Sequence, residues 1–467
     1  MIPRWLETML ESAADRGREL LHLFDEDKSD GSVTELCRAL LAGSGEASGI
    51  ALSSEILRRY RQMTTEQKAG FFTCLHEEFS ADPEAIKLAT EAYLGSRSEN
   101  DLLQLTQAVE APRQELLRRL NMAPNSTAQL VSMRGDLLRQ LKRQPQLFSV
   151  DADFKHLLSS WFNRGFLQLE HIDWNTPAHI LEKLINYETV HAIQGWDDLH
   201  RRVVDDRRCF AFTHPAIPDE PLIFVEVALV KDIPSQVQPL LDRNTAVLPI
   251  EQADTAVFYS INNTQLGLRG ISFGNFLIKQ VMEELQNECP WIKHFVTLSP
   301  MPKFAHTLRA AMKGEVKALK PATIDKILEE WANDLQQLSG EPSPSLALMK
   351  LLETPQAEHA QASRDLLEKA VVPVALAYLT LQLDNHHIAD PVAAFHLSNG
   401  ARLERINPFA DDSDEHRASS FGCMVNYLYE PDQLEINHET FVGQGKIAIA
   451  KPLMKAQLKY QQLLNLN

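Results

Sequence analysis

The chain has 467 residues, 44% hydrophobic and 23% charged, and its 46 Lys and Arg against 63 Asp and Glu leave a formal net charge of −17. A chain of this length buries ordinary cores in about two or three domains, which excludes collagen, low-complexity disorder and disulfide scaffolds. The acidic balance, with no basic stripe, argues against binding nucleic acid through its phosphates, and five scattered cysteines (Cys37, Cys74, Cys209, Cys289, Cys423) without C-x-x-C spacing fit a reducing compartment and offer no zinc motif.

Up to Phe148 apolar residues recur at three- and four-residue spacing, as in Trp5, Leu6, Met9, Leu10 and in Leu102, Leu103, Leu105, Val109, which predicts an all-helical bundle. Thr64-Thr-Glu-Gln67 fits a capping box, and Asp82-Pro83 opens another helix with proline at its first position. Asp25-Glu-Asp-Lys-Ser-Asp-Gly31 alternates oxygen side chains like a calcium loop. Its sixth position is Asp30 instead of Gly and its twelfth is Leu36 instead of Glu, so it is read as a solvated turn.

Beyond Trp161 the texture changes. Cys209–Thr213 and Leu222–Val230 read as two strands of a hairpin-like pair across the turn-rich His214–Pro221. Ala256–Ile261 reads as a strand, followed by the polar, glycine-rich Asn262–Gly270 and a helix from about Ser272 to Glu288. His294–Ser299 is a further strand, 304–382 returns to helix, and short strands are predicted at Ala394–Leu397, Ala401–Ile406 and Met424–Tyr429, the first two joined by an Asn399-Gly400 hairpin turn. The longest apolar run, Ala370–Leu383, is broken by Pro373 and falls short of the ~20 residues that span a bilayer. The N-terminal residues are acidic where a leader would be basic, so a soluble, cytoplasmic protein is expected.

The strand, loop and helix around 256–288 are the most informative segment. Gly267, Gly270 and Gly274 allow close backbone approach, and the following helix aims unpaired N–H groups and partial positive charge at the same point, which suits a diphosphate. Neither the dinucleotide fingerprint nor the Walker pattern is met. Gly270-Ile-Ser272-Phe-Gly274 satisfies the G-x-S-x-G pattern of serine hydrolases, with Asp384 or Asp390 and then His396 in the required order. That elbow needs its serine directly between strand and helix, whereas nine loop residues intervene here.

Several ordered blocks resemble the malonyl-CoA decarboxylase family: Arg208-Cys-Phe-Ala-Phe with His214-Pro; Phe258-Tyr-Ser-Ile followed by Thr264-Gln-Leu-Gly-Leu-Arg-Gly and Gly274-Asn-Phe-Leu-Ile-Lys; Leu298-Ser-Pro-Met-Pro-Lys-Phe; Asp390-Pro-Val-Ala-Ala-Phe-His-Leu-Ser-Asn-Gly-Ala; and Met424-Val-Asn-Tyr. The likeness extends to Phe71-Phe, Glu77-Glu-Phe and Asp82-Pro-Glu-Ala. It implies a helical oligomerisation domain, placed at 1–152, and a mixed-sheet catalytic domain at 153–467 with the fold of the acyl-CoA-binding N-acetyltransferases (GNAT) and a helical insertion. It implies tetramers built as dimers of dimers. By the same resemblance Ser299, His396 and Tyr427 are the catalytic residues. Gly267, Leu268, Arg269, Gly270, Ile271, Ser272, Phe273, Gly274 and Asn275 form the cradle for the CoA diphosphate. The acetyltransferase signature [QR]-x-x-G-x-[GA] is not reproduced in register.

The implied reaction converts malonyl-CoA to acetyl-CoA and carbon dioxide, in malonate or fatty-acid metabolism. No metal or organic cofactor is expected, because the thioester carbonyl holds the electrons left when carbon dioxide departs. A protonated imidazole near its ordinary pKa suits proton delivery to carbon, which assigns His396 as donor and Ser299 as carboxylate ligand or relay. Arg269, Lys279 and Lys303 are the nearby cations that a polyanionic substrate requires. The alternatives are a serine hydrolase acting through Ser272 and an acyltransferase that needs an amine acceptor.

Overall fold

The computed structural model describes residues 33–43, 45–271, 276–316, 319–355, 360–380 and 388–464, the side chains of Arg164, Phe276 and 459–464 apart. The calcium-like segment, Ser272–Asn275 and Asp384 lie outside the described residues. The chain divides into two compact units, the first comprising the described parts of 1–168, 212–222 and 263–274, the second 169–211, 223–262 and 275–467.

The first unit is built on eight α-helices among its described residues: Val33–Ala42, Glu46–Gln62, Thr65–Glu77, Pro83–Ser96, Glu99–Val109, Pro112–Leu120, Ser126–Gln140 and Phe148–Trp161. The capping box forms as expected: Thr64 accepts from the Gln67 N–H while the Gln67 side chain accepts from the Thr64 N–H. Asp82 caps the next helix, whose first position is Pro83. Leu36, Ile56, Phe72, Leu75, Leu116, Leu130, Leu137 and Leu158 are fully buried at the three- and four-residue spacing read from the sequence.

The glycine loop is anchored in this unit by one buried cation. The Arg134 side chain, 2% exposed, donates through Nε to Asp151 (2.8 Å) and through Nη1 to the carbonyls of Gly267 (2.7 Å) and Arg269 (3.0 Å). A β-carbon on Gly267 would stand 1.7 Å from the Val131 carbonyl oxygen. What demands glycine at this position is the backbone of helix Ser126–Gln140.

The second unit carries most of a mixed sheet of eight strands: β1 (Gln168–Ile172), β2 (Arg207–Thr213), β3 (Ile223–Val230), β4 (Thr255–Asn263), β5 (His294–Thr297), β6 (Ser299–Pro300), β7 (Arg402–Asn407) and β8 (Met424–Tyr429). Their order is β1-β2-β3-β4-β5-β8-β6, with β7 also on β8. The parallel pairing of β4 with β5 runs only from Thr255↔His294 to Phe258↔Thr297, although β4 continues to Asn263. Past that point the chain of β5 turns to β8, where Ser299 pairs with Val425. Five helices between Phe304 and Leu379 form the insertion before β7.

One strand and one turn assignment are corrected. Ala394–Leu397 lies in a helix, Pro391–Ser398, because Asp390 occupies its N-cap and Pro391 its first position, and a short apolar run carries no decisive period. Asn399-Gly400 accordingly ends this helix and does not turn a hairpin. Gly400 has φ +83°, and a β-carbon there would meet the Leu434 carbonyl at 2.1 Å.

Gly267→Ala is expected to lower stability by about 3 kcal/mol, the upper range for a backbone clash. Gly270→Ala, strained only by its φ of +75°, is expected to cost about 1 kcal/mol. Urea unfolding midpoints of the two variants test that difference.

Candidate active site

Strand alternation builds the site in the second unit. Val296, Leu298, Met424 and Leu428 point into one hydrophobic cluster with Ala228, Val257 and Tyr259. With a period of two, Thr297 and Ser299 on one segment and Tyr427 and Tyr429 on β8 therefore share the opposite face. The antiparallel register, running from Phe295↔Tyr429 to Ser299↔Val425, sets Thr297 beside Tyr427. Tyr427 N–H donates to Thr297 Oγ1 at 3.3 Å.

Helix Pro391–Ser398 brings His396 to this face. Asp390 Oδ1 accepts the N–H groups of Val392 and Ala393 at 2.9 Å each, and Oδ2 accepts the Tyr378 hydroxyl at 2.6 Å, so both oxygens of this fully buried carboxyl are used in fixing the helix start. Burial raises the Asp390 pKa against the pull of these hydrogen bonds. The hydrolase reading placed Asp390 or Asp384 on His396; Asp390 is committed elsewhere.

Ser299 Oγ lies 3.0 Å from His396 Nε2 and 3.0 Å from Thr297 Oγ1. On the other side of the ring, Nδ1 is 2.7 Å from the Tyr429 hydroxyl. The imidazole stacks on Tyr427, centroids 4.6 Å apart at 24°. With the serine hydroxyl donating to Thr297, Nε2–H donates to Ser299 and Nδ1 accepts from Tyr429. Turning that hydroxyl toward Nε2 inverts the tautomer, and Nδ1–H then donates to Tyr429. Burial pushes the His396 pKa down to about 3. The ring is therefore neutral in the free protein, which corrects the expectation of a protonated imidazole near its ordinary pKa. The Tyr427 hydroxyl is buried with no hydrogen-bond partner among the described residues.

Ser299 and Tyr427 thus both contact His396. Two partners the sequence reading missed, Thr297 and Tyr429, were legible only as odd-numbered residues sharing a strand face with the serine and with Tyr427. Of the loop residues, Gly267, Leu268 and Ile271 are buried and Arg269 and Gly270 exposed; Ser272, Phe273, Gly274 and Asn275 lie outside the described residues. Lys155, unmarked by any motif, brings its Nζ to 3.8 Å from where a β-carbon on Gly270 would stand. Lys279 is exposed on helix Phe276–Glu288, and exposed Lys303 precedes helix Phe304–Met312. Among the described residues no helix is long and apolar enough to cross a membrane.

Family models described as the malonyl-CoA decarboxylase N-terminal and C-terminal domains match residues 79–162 and 165–465. The mitochondrial malonyl-CoA decarboxylase of Anser anser anser is 34% identical over 426 residues, 88% of this chain and 84% of that protein. Its Rattus norvegicus counterpart is 32% identical over 339 residues, 71% of this chain and 68% of that one. A crystal structure of malonyl-CoA decarboxylase from Rhodopseudomonas palustris is 45% identical, covering 91% of this chain and 98% of its own, with a TM-score of 0.82. One from Agrobacterium vitis is also 45% identical, covering 91% and 99%, with a TM-score of 0.80.

The depressed pKa has a sign in stability. Between the ordinary histidine value of 6.5 and about 3 the unfolded chain binds the proton that folded His396 refuses, so stability falls as pH drops through that window. The contribution is at most about 1.4 kcal/mol per pH unit. Urea unfolding at pH 7, 6 and 5 should show a shallower acid loss for His396→Gln than for the unsubstituted chain.

Proposed function

The chain belongs to the malonyl-CoA decarboxylase family, and on that premise we propose that it converts malonyl-CoA to acetyl-CoA and carbon dioxide at Ser299 and His396. The observation that carries the assignment is the neutral, buried imidazole held 3.0 Å from the serine and oriented on its far side by a tyrosine in place of a carboxylate. In a serine hydrolase, the imidazolium formed when histidine takes the serine proton is stabilised by an acid on the other ring nitrogen. Here such an imidazolium would be buried with only Tyr429 beside it. A substrate that carries its own carboxylate supplies the missing charge.

The malonyl carboxylate, bound by the Ser299 hydroxyl and Nε2, raises the His396 pKa and draws one proton from solution onto the ring. When the carbon–carbon bond breaks, carbon dioxide leaves neutral and the electron pair moves into the thioester as an enolate. The imidazolium then returns its proton to the α-carbon. The atoms balance without a metal or organic cofactor, since the thioester carbonyl is the electron sink. The unpartnered Tyr427 hydroxyl is the donor available for the enolate oxygen.

The loop Gly267–Asn275 is assigned to the CoA diphosphate, with Lys155 and Arg269 as its cations. The five free thiols support a reducing, cytoplasmic setting. Self-association through the helical domain, placed at 1–152, is supported by helices Pro83–Ser96 and Glu99–Val109, which bury none of their side chains fully and expose Leu88, Leu94, Leu102, Leu103 and Val109.

His396→Asn is expected to abolish carbon dioxide release while retaining malonyl-CoA binding, and Ser299→Ala to lower kcat by about 10²–10⁴-fold. Calorimetry in buffers of different ionisation heat, with a malonyl-CoA analogue that keeps the carboxylate but cannot release carbon dioxide, should show proton uptake on binding and none with acetyl-CoA, the uptake being lost in His396→Asn. Undiminished turnover of that variant sinks the assignment. Release from malonyl-CoA alone, with no amine present, separates this activity from acyl transfer. In sedimentation velocity, Leu88→Asp combined with Leu103→Asp is expected to yield a smaller assembly than the unsubstituted chain.

A further inference from the structure

We propose that His191, Asp411 and His416 form a binding site for one divalent transition-metal ion, zinc being the best fit, with a structural role in the second unit. The three side chains are all buried, and one potential ligand atom from each lies within 4.8 Å of the other two. None of them belongs to the Ser299–His396 cluster. Asp411 Oδ2 stands 3.0 Å from His416 Nδ1 and 3.7 Å from His191 Nδ1. Two ligands each about 2.0–2.1 Å from a tetrahedral zinc ion are about 3.3 Å apart, a separation these two distances bracket. Two imidazoles and a carboxylate select zinc or its neighbours over calcium and magnesium, which prefer all-oxygen sets.

The surroundings hold the ligands in place. Asp411 Oδ1 accepts the Ser413 N–H at 2.8 Å and the Gln238 amide at 3.4 Å, which leaves Oδ2 to face both histidines. The Asp411 N–H donates to the Gly422 carbonyl, and the Gly422 N–H to the His416 carbonyl. Gly422, at φ +73°, is so close that a β-carbon would meet the Asp411 carbonyl at 2.5 Å. The His191 N–H donates to Glu188 Oε1 at 2.8 Å, and its carbonyl accepts from Arg202 at 3.0 Å. Ser413 Oγ, 3.0 Å from His416 Nδ1, or a water is available for the fourth position. An ion here would tie the segment around 188–194 to the one around 410–416, segments more than 200 residues apart in sequence.

The test uses the full chain without an affinity tag, dialysed against a chelator and then against buffer with micromolar zinc or cobalt. One zinc per chain by elemental analysis, visible cobalt bands of a four-coordinate site and a melting temperature raised by zinc are expected. His191→Ala should weaken zinc binding at least about 100-fold, beyond the loss from an outer partner. Should that variant fail to fold, Asp411→Asn, which keeps the acceptor for the Ser413 N–H, should show the same loss. A folded chain that takes up no zinc, or a His191→Ala/His416→Ala double variant that binds it as tightly as the unsubstituted chain, overturns the proposal.

Discussion

Holding an imidazole in a dry interior, with no carboxylate against it among the described residues, is the constraint around which the second unit is arranged. Among the described residues His396 meets a serine, two tyrosines and Phe395, and burial alone sets its low proton affinity. Each supporting element contributes to that condition. β5 and β8 present Thr297, Ser299, Tyr427 and Tyr429 because their alternate residues are consumed by the hydrophobic cluster beneath. The helix carrying His396 starts at Asp390, whose two oxygens are both occupied, so this buried acid is kept from acting on the ring.

A buried carboxyl used as a helix cap also explains why chain order misled the hydrolase reading. The order Ser272, Asp390, His396 is that of a triad, and the six-residue separation of Asp390 from His396 places both on one short helix. At the N-cap, however, an aspartate is engaged by the backbone of that helix, and the hydroxyl of Tyr378 takes what remains. Chain order alone cannot separate a cap from a catalytic acid; the hydrogen-bond inventory of its two oxygens does.

Much of the fold was legible because its signals are local. Capping at Thr64 and Asp82, the strand at Met424–Tyr429 and the helices of the insertion follow from side-chain chemistry and period within a few residues. The Ala394–Leu397 error arose where local signals were ambiguous, four residues being too few to separate two periods. Ser299 and His396, proposed as the catalytic pair, were reached through family resemblance, since nothing in their spacing of 97 residues marks a pair. Thr297 and Tyr429 required the register of β5 on β8, and Lys155 required the packing of the first unit; both are non-local. The His191–Asp411–His416 cluster was invisible for the same reason, its members separated by 220 residues and then by five.

The choice of tyrosine over aspartate beside Nδ1 bears on which chemistry the site favours. An acid at that position would hold the histidine charged or ready to charge in the free enzyme, and the serine would become a nucleophile toward any thioester, acetyl-CoA included. In the proposed reaction, with a neutral hydroxyl there, the charge that stabilises imidazolium arrives only with a substrate bearing a carboxylate, and it departs as carbon dioxide. The ring is then left charged and dry opposite an enolate, the arrangement in which giving its proton to carbon is most favourable. Product, lacking the carboxylate, returns the histidine to its neutral state, so the same electrostatic condition that admits malonyl-CoA to reaction withholds the serine from attacking acetyl-CoA.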